Sequence, residues 1–274
     1  MKALIDGDIL RYEIGYAAET GWQTEGEIPP WEYVERLFNL RIQNICAEAK
    51  AFENPTIFIS EGSNFRYDIA KRKPYKGTRV SKKPYHFDNL TAYIKGQTDH
   101  LIATGIEADD LMCIIQTKYQ EDPYVFNNTI ICSRDKDLRQ CPGWHYGWEL
   151  GNQPSFGPEL VDRLGRMELI RTGSQPKIVA TGFHSFCVQV LMGDVVDNIP
   201  GIKGLGPVAV YELLNGAMSE KELMDRVITA YHKEYGNDWE KELLEQGRLC
   251  WLLRRADTLR DDGLPIMWQV GMIE

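Results

Sequence analysis

The sequence predicts an α/β fold: a mostly parallel sheet flanked by helices, followed by a helical C-terminal region. Short apolar runs, Lys2-Ala3-Leu4-Ile5, Thr56-Ile57-Phe58-Ile59-Ser60 and Thr129-Ile130-Ile131-Cys132, read as buried strands. Between the first two lies a helix-period segment with short links, the pattern of a parallel sheet. Carboxylates follow all three runs: Asp6, Glu61, then Asp135 and Asp137. In open α/β sheets the carboxyl ends of the strands line the ligand crevice. Acidic groups gathered there from distant positions require cations.

The chain has 274 residues and a formal charge of −9. That length suits one large domain or two smaller ones. No apolar run approaches the ~20 residues of a membrane span, and Asp6 interrupts the N-terminus too early for a signal peptide. The six cysteines lack CxxC spacing and mostly sit in apolar segments, so they read as reduced core residues of an intracellular, cytoplasmic protein. The five histidines form no HExxH. Acidic net charge argues mildly against nucleic-acid binding, but local charge governs steering.

In order, Lys2–Ile5 is a strand ending in Asp6-Gly7-Asp8, with a helix after it and Asp8 expected as its N-cap. Trp22 to Pro30 reads as a loop. Trp31 to Phe52 has helical periodicity through Val34, Leu37, Phe38, Ile42, Ile45 and Ala49. The second strand follows, and Glu61-Gly62 is expected to end it. His86 to Ala103 reads as helix. Glu107, Asp109 and Asp110 then crowd three carboxylates into four residues at the start of an apolar run. A helix N-terminus or a divalent cation can keep such a cluster ionised. Trp144 to Leu150 is expected as a fourth strand. Met167–Arg171 and Lys177–Thr181 read as a hairpin around Gly173 to Pro176. Phe183 to Met192 is a short helix, ending in Gly193-Asp194-Val195-Val196-Asp197-Asn198. Ile199 to Pro207 carries Gly201, Lys203, Gly204 and Gly206, and Pro207 suits the first turn of a helix over Val208–Leu214. This reads as a helix-hairpin-helix, whose backbone N–H groups meet phosphates. Ser219 to Arg255 is helical.

One segment reverses the charge. Between Asn64 and Lys83, eight basic residues (Arg66, Lys71, Arg72, Lys73, Lys76, Arg79, Lys82, Lys83) face Asp68 alone, with Phe65, Tyr67 and Tyr75 interleaved. Cations for phosphates and rings for bases make up a nucleic-acid surface, and a solvated basic loop has the same composition.

Five ordered motifs resemble the 5′-nucleases, the flap endonuclease and 5′→3′ exonuclease family: Leu4-Ile5-Asp6-Gly7, Tyr75-Lys76-Gly77-Thr78-Arg79, Glu107-Ala108-Asp109-Asp110, Asp135-Lys136-Asp137-Leu138, and Gly193 through Gly206. They cover roughly residues 1–215. The small size is most similar to the free-standing phage-type enzymes. The resemblance implies a PIN-like (resolvase-like) catalytic domain over 1–182 with a basic arch near 63–84, and a helical domain with the helix-hairpin-helix over 183–274. It implies a first, catalytic metal at Asp6, Glu107 and Asp109, with Asp110 bridging or nearby. Asp135 and Asp137 would lie between the metals, and Asp194 and Asp197 would hold the second. Glu61 stands where the family usually has Asp, and Thr78 where Asn is common. An all-carboxylate site suits two Mg²⁺ or Mn²⁺ ions, which at roughly 3.5–4 Å apart drive in-line displacement by water. Lys76 and Arg79 would act at the scissile phosphate and Tyr75 would stack on a terminal base. Lys71, Arg72, Lys73, Lys82 and Lys83 would attract DNA, while Gly201, Lys203, Gly204 and Gly206 would grip duplex backbone with K⁺. The expected substrate is DNA with a 5′ end, flap or nick, or an RNA–DNA hybrid. The expected protein is a monomer with no membrane partner, in the host cytoplasm if phage-encoded.

Three rivals use parts of the same pattern. A haloacid-dehalogenase-type phosphatase would use Asp6-Gly7-Asp8 and Gly193-Asp194-Val195-Val196-Asp197, but gives no task to Glu107–Asp110, the basic segment or the glycine-rich hairpin. A catalytically silent DNA-binding protein gains nothing from carboxylates beside DNA. A PIN-type ribonuclease would lack the hairpin.

Overall fold

The computed structural model describes residues 1–22, 27–79, 82–121, 128–172, 175–254, 259–260 and 265–272. The expected loop at 22–30, the basic segment and the hairpin turn each fall partly outside these residues. The described chain forms two compact units that interleave along the sequence. The first comprises Met1–Gly62, Val80–Asp135 and Gly143–Leu160; the second comprises Ser63–Arg79, Lys136–Pro142 and Val161–Glu274.

The first unit is built on β1 (Lys2–Asp6) and α1 (Gly7–Gly21), then α2 (Trp31–Glu48) and β2 (Thr56–Asn64). β1 pairs in parallel with β2, Ile5 opposite Ile57. It also pairs in parallel with β4 (Thr129–Cys132), Ile5 opposite Cys132. β4 pairs in parallel with β5 (Gly143–Gly147). With β3 (His100–Gly105) and β6 (Phe156–Val161), the strands stand in the order β3-β2-β1-β4-β5-β6. Ala3, Leu4 and Ile5 are buried, as are Ile57, Phe58 and Ile59. Fully burying each larger aliphatic contributes about 1.5–3 kcal/mol. The expected apolar stripe of α2 is seen: Val34, Phe38 and Ile45 are buried in the same core. Gly7 is required where α1 begins, because a Cβ there would lie 2.7 Å from both Ile57 Cγ2 and Phe58 O.

Three expectations for this unit are corrected. His86–Ala103 is not one helix: α4 spans Phe87–Gln97, and β3 begins at His100. The apolar Leu101-Ile102-Ala103 run suits a strand as well as a helix turn, and sheet pairing decides it. β2 runs on to Asn64, so Glu61 lies within the strand rather than after it. β6 was not anticipated. α5 spans Ala108–Glu121 as expected.

The second unit begins with α3 (Phe65–Ile69) and includes a 3₁₀ turn at Asp137–Gln140. β7 (Met167–Thr172) and β8 (Gln175–Ala180) form the expected antiparallel hairpin, Leu169 opposite Ile178. α6 (Gly182–Met192) is buried almost all round, with Phe183, Phe186, Cys187, Val190 and Leu191 in the core. α7 (Pro207–Leu214), α8 (Glu220–Tyr235) and α9 (Trp239–Cys250) complete it. Within this unit Arg66 donates to the carbonyls of Leu249 and Trp251. Among the described residues, no helix is long and apolar enough to cross a membrane.

Candidate functional site

In the first unit the organising group is Asp6. It ends β1 and caps α1, its Oδ1 accepting from Ile9 N–H at 3.1 Å. The cap is therefore Asp6, not Asp8 as expected from sequence. Asp8 lies in the first turn of α1, paired with Arg11, and accepts from the Ser60 N–H at 3.0 Å. Asp6 is 2% exposed. Burial, then the nearby charge of Asp8, push its carboxyl up to about 7, with Asp135 adding to the push; hydrogen bonds from Ser133 and Ile9 oppose it.

Ser133 joins two of the expected ligand segments. Its hydroxyl donates to Asp6 Oδ2 at 2.7 Å and accepts from the Asp135 N–H at 2.9 Å. The sequence reading passed over it. The available signal was its place directly after β4 and two residues before Asp135.

The Glu107–Asp110 cluster sits at the start of α5. Asp110 is buried, and its Oδ2 accepts from the Glu107 N–H at 3.0 Å, a carboxylate reaching back to the cap residue. The next N–H, of Ala108, donates to Ser60 Oγ at 2.8 Å. Glu107 and Asp109 are half-buried. Glu61 is half-exposed and ion-paired with Lys95, which occupies it in this structure.

In the second unit the 194–199 loop is closed on itself: Asp194 N–H donates to Ile199 O at 2.9 Å, and Ile199 N–H returns to Asp194 O at 2.7 Å. Asp194 Oδ1 accepts from Val196 N–H at 2.7 Å and Asp197 N–H at 3.3 Å. Lys136 Nζ lies 2.8 Å from Asp194 Oδ2 and 3.9 Å from Asp137 Oδ1. Burial alone would raise the Asp194 carboxyl, but the hydrogen bond and charge of Lys136, with those two N–H groups, hold it below the usual carboxylate range.

Lys76 and Arg79 lie outside the helices: Lys76 has φ +52° in a turn closed by Gly77 N–H to Pro74 O. Tyr75 is 4% exposed, and its hydroxyl donates to Asp197 Oδ2 at 3.0 Å, so in this structure its ring packs in the core instead of facing solvent for a base. Arg79 pairs with Asp197 Oδ1 at 2.5 Å. Arg72 pairs with Glu242 at 3.2 Å and lies over the Tyr235 ring. Lys71 and Lys73 are exposed. In the first unit Lys82 is exposed, and the exposed Lys83 lies over the Phe87 ring.

Beyond the loop, Ile202 is buried, and its N–H donates to Leu191 O at 2.8 Å. Gly201 has φ +60°, and a Cβ there would lie 2.3 Å from Gly193 N. Lys203 and Gly204 are exposed, and Gly206 precedes Pro207 at the start of α7. Among the described residues, no three or more His, Cys, Asp or Glu side chains are grouped closely enough in this structure to hold a metal ion. The Asp6 carboxylate nevertheless feels the charges of Asp8 and Asp135, and an all-oxygen donor set of this kind fits a hard divalent cation.

No family model matches the sequence. The chain is similar to a 5′-3′ exonuclease of Mycoplasmopsis pulmonis, 27% identical over 194 residues, covering 68% of this chain and 59% of that protein. It is similar to DNA polymerase I of Chloroflexus aurantiacus, 27% identical over 271 residues, covering 96% of this chain and 26% of that protein. The match thus spans less than two thirds of either relative. In fold it is similar to the 5′-exonuclease of bacteriophage T5 with bound zinc, at a TM-score of 0.60 and 15% identity, covering 92% of this chain and 89% of that one. A T5 D15 flap endonuclease solved as a pseudo-enzyme-product complex with DNA and metal ions gives 0.59 at 14% identity, with the same coverage. In both sequence and fold, this chain resembles the 5′-nucleases.

Proposed function

We propose that this protein is a divalent-metal-dependent 5′-nuclease that hydrolyses phosphodiester bonds of DNA at a 5′ end, flap or nick. The observation that carries the reading is Asp6: a buried carboxyl at the end of a central strand, with Asp8 and Asp135 acting on it. Ionised, such a group costs the fold stability unless a cation offsets it. A dehalogenase-type reading needs Asp6 as an accessible nucleophile, yet Asp6 is buried and spends its oxygens on Ile9 and Ser133.

Each unit would contribute carboxylates to one ion. Asp6, Glu107, Asp109, Asp110 and Asp135 would serve the first; Asp137, Asp194 and Asp197 would serve the second. Glu61 would contribute only after leaving Lys95. Bound Mg²⁺ or Mn²⁺ would supply a hydroxide-like water and stabilise the leaving oxygen. Ser133 would hold Asp6 and the Asp135 backbone in register. Lys76 and Arg79 would offset charge at the reacting phosphate. The segment from α6 to α7 would act as the helix-hairpin-helix, with Gly201, Gly204 and Gly206 allowing close approach to phosphates, Lys203 adding charge and K⁺ assisting. Functionally, residues 1–182 would carry most of the chemistry, and 183–274 would add Asp194 and Asp197 and hold the duplex.

The test is a panel of 5′-labelled flap, nicked and blunt duplexes with and without Mg²⁺. Short 5′ products that vanish in excess EDTA are expected. Full cleavage in EDTA, or hydrolysis of p-nitrophenyl phosphate without DNA cleavage, would overturn the reading.

A further inference from the structure

Asp194 and Asp197 each hold a cation of the chain's own. Lys136 Nζ sits 2.8 Å from Asp194 Oδ2, and Arg79 Nη2 sits 2.5 Å from Asp197 Oδ1. The two sides of these pairs are unequal. The Lys136 and Arg79 side chains are 70% and 45% exposed, while those of Asp194 and Asp197 are 5% and 15% exposed. The Asp194 carboxylate is pinned by the Val196 and Asp197 N–H groups, and Asp197 is anchored through its main-chain carbonyl, which accepts from the Lys76 N–H at 2.9 Å. The Tyr75 hydroxyl adds a further contact on Asp197. A long cationic side chain that is already largely in water regains full hydration when it swings away. A buried carboxylate stripped of its cation is left with a desolvation penalty. The carboxylates therefore stay and the cations can leave.

Resting on the nuclease reading above, we infer that Lys136 and Arg79 are internal counter-cations of the second carboxylate set. They position Asp194 and Asp197, and a divalent ion binds there by exchange with them. The exchange conserves charge, since two monovalent groups leave as one divalent ion arrives. It also has a consequence for Arg79: the guanidinium that leaves Asp197 becomes available to a phosphate. Loading the ion and delivering the phosphate clamp are then one event. Lys136 is a positioning residue in this scheme, acting through Asp194 and Asp137.

The experiment is calorimetric titration of Mn²⁺ into the full-length protein without DNA. The samples are the unaltered protein, Lys136→Met, Arg79→Gln and Lys136→Arg. Removal of a competing cation should tighten the weaker Mn²⁺ site about tenfold in Lys136→Met and in Arg79→Gln, the size of one charge-assisted contact. Lys136→Arg keeps the charge and should stay within about twofold of the unaltered protein. Unchanged or weaker Mn²⁺ binding in both neutral variants, with Lys136→Arg folded and normal, would overturn the exchange. If the unaltered protein neither binds Mn²⁺ nor cleaves DNA with it, the nuclease reading falls as well. If it does both, only the exchange is at stake.

Discussion

Asp6 in the first unit and Asp194 in the second are both buried carboxylates in predicted ligand motifs, and their surroundings push them opposite ways. Asp6 has Asp8 and Asp135 as its charged influences and is pushed up to about 7. Asp194 suffers burial too, yet Lys136 and two backbone N–H groups hold it below the ordinary range. One unit keeps its acid at a cost that a proton or an incoming cation removes, while the other supplies its own cation. The comparison teaches that a DxD-like pattern says nothing about protonation. That is decided by which charges the fold brings alongside.

The largest expected effect tests both sites at once. Asp6→Asn and the double variant Asp194→Asn with Asp197→Asn should each lower single-turnover cleavage by roughly 10³-fold or more, since each removes charge that would hold an ion. Their stabilities should diverge. Without divalent ions near pH 8, Asp6→Asn should melt at or above the unaltered protein. The double variant should melt lower by about 1–3 kcal/mol, because Lys136 and Arg79 lose their partners. A double variant that melts higher would break the comparison. Asp109→Asn should abolish cleavage and leave binding equal or tighter, measured in Ca²⁺.

Next in size is Lys76→Ala. Lys76 stands in the turn whose backbone is fastened to Asp197. Its loss should lower the single-turnover rate about 10²–10³-fold and affinity far less. An effect on affinity alone would make Lys76 one more solvated charge. Lys82→Ala with Lys83→Ala, on the first unit, should do the reverse. Binding should weaken several-fold and its salt slope should fall by up to about 2, with the rate at saturating DNA preserved.

The smallest effect is on pH dependence. The Asp6 carboxyl moves from an ordinary 3.8 to about 7, so the folded state binds its proton more tightly than the unfolded chain does. Its contribution to stability is therefore present at low pH and falls as pH rises from about 4 through about 7. Asp194 has the opposite sign: its contribution is present above the ordinary carboxylate range and is lost as pH falls through its depressed value. Divalent ions should then raise the melting temperature by several degrees more near pH 8 than near pH 5. An equal rise at both would show that Asp6 is not held near the bound ion.

The sequence by itself determined the features that local pattern encodes. Apolar runs of four or five residues marked β1, β2 and β4, and the 3.6-residue stripe marked α2. Pro207 placed the start of α7, and the paired runs around residues 173–176 placed the β7–β8 hairpin. The carboxylate positions were legible for the same reason, because acidic residues directly after apolar strands stand out in a linear reading. Only the tertiary structure decided what depends on partners far away in the chain. Ser133 meets Asp6 across 127 positions, and Tyr75 meets Asp197 across 122. No local signal states that Tyr75 is buried, that Lys76 turns with positive φ, or that His100–Gly105 leaves a helix to join a sheet. An apolar run of three or four residues satisfies either period, and a carboxylate accepts either a proton or a cation. In both cases the choice belongs to the neighbours that folding supplies, and those neighbours are set by the packing of whole elements rather than by the residues beside them in sequence.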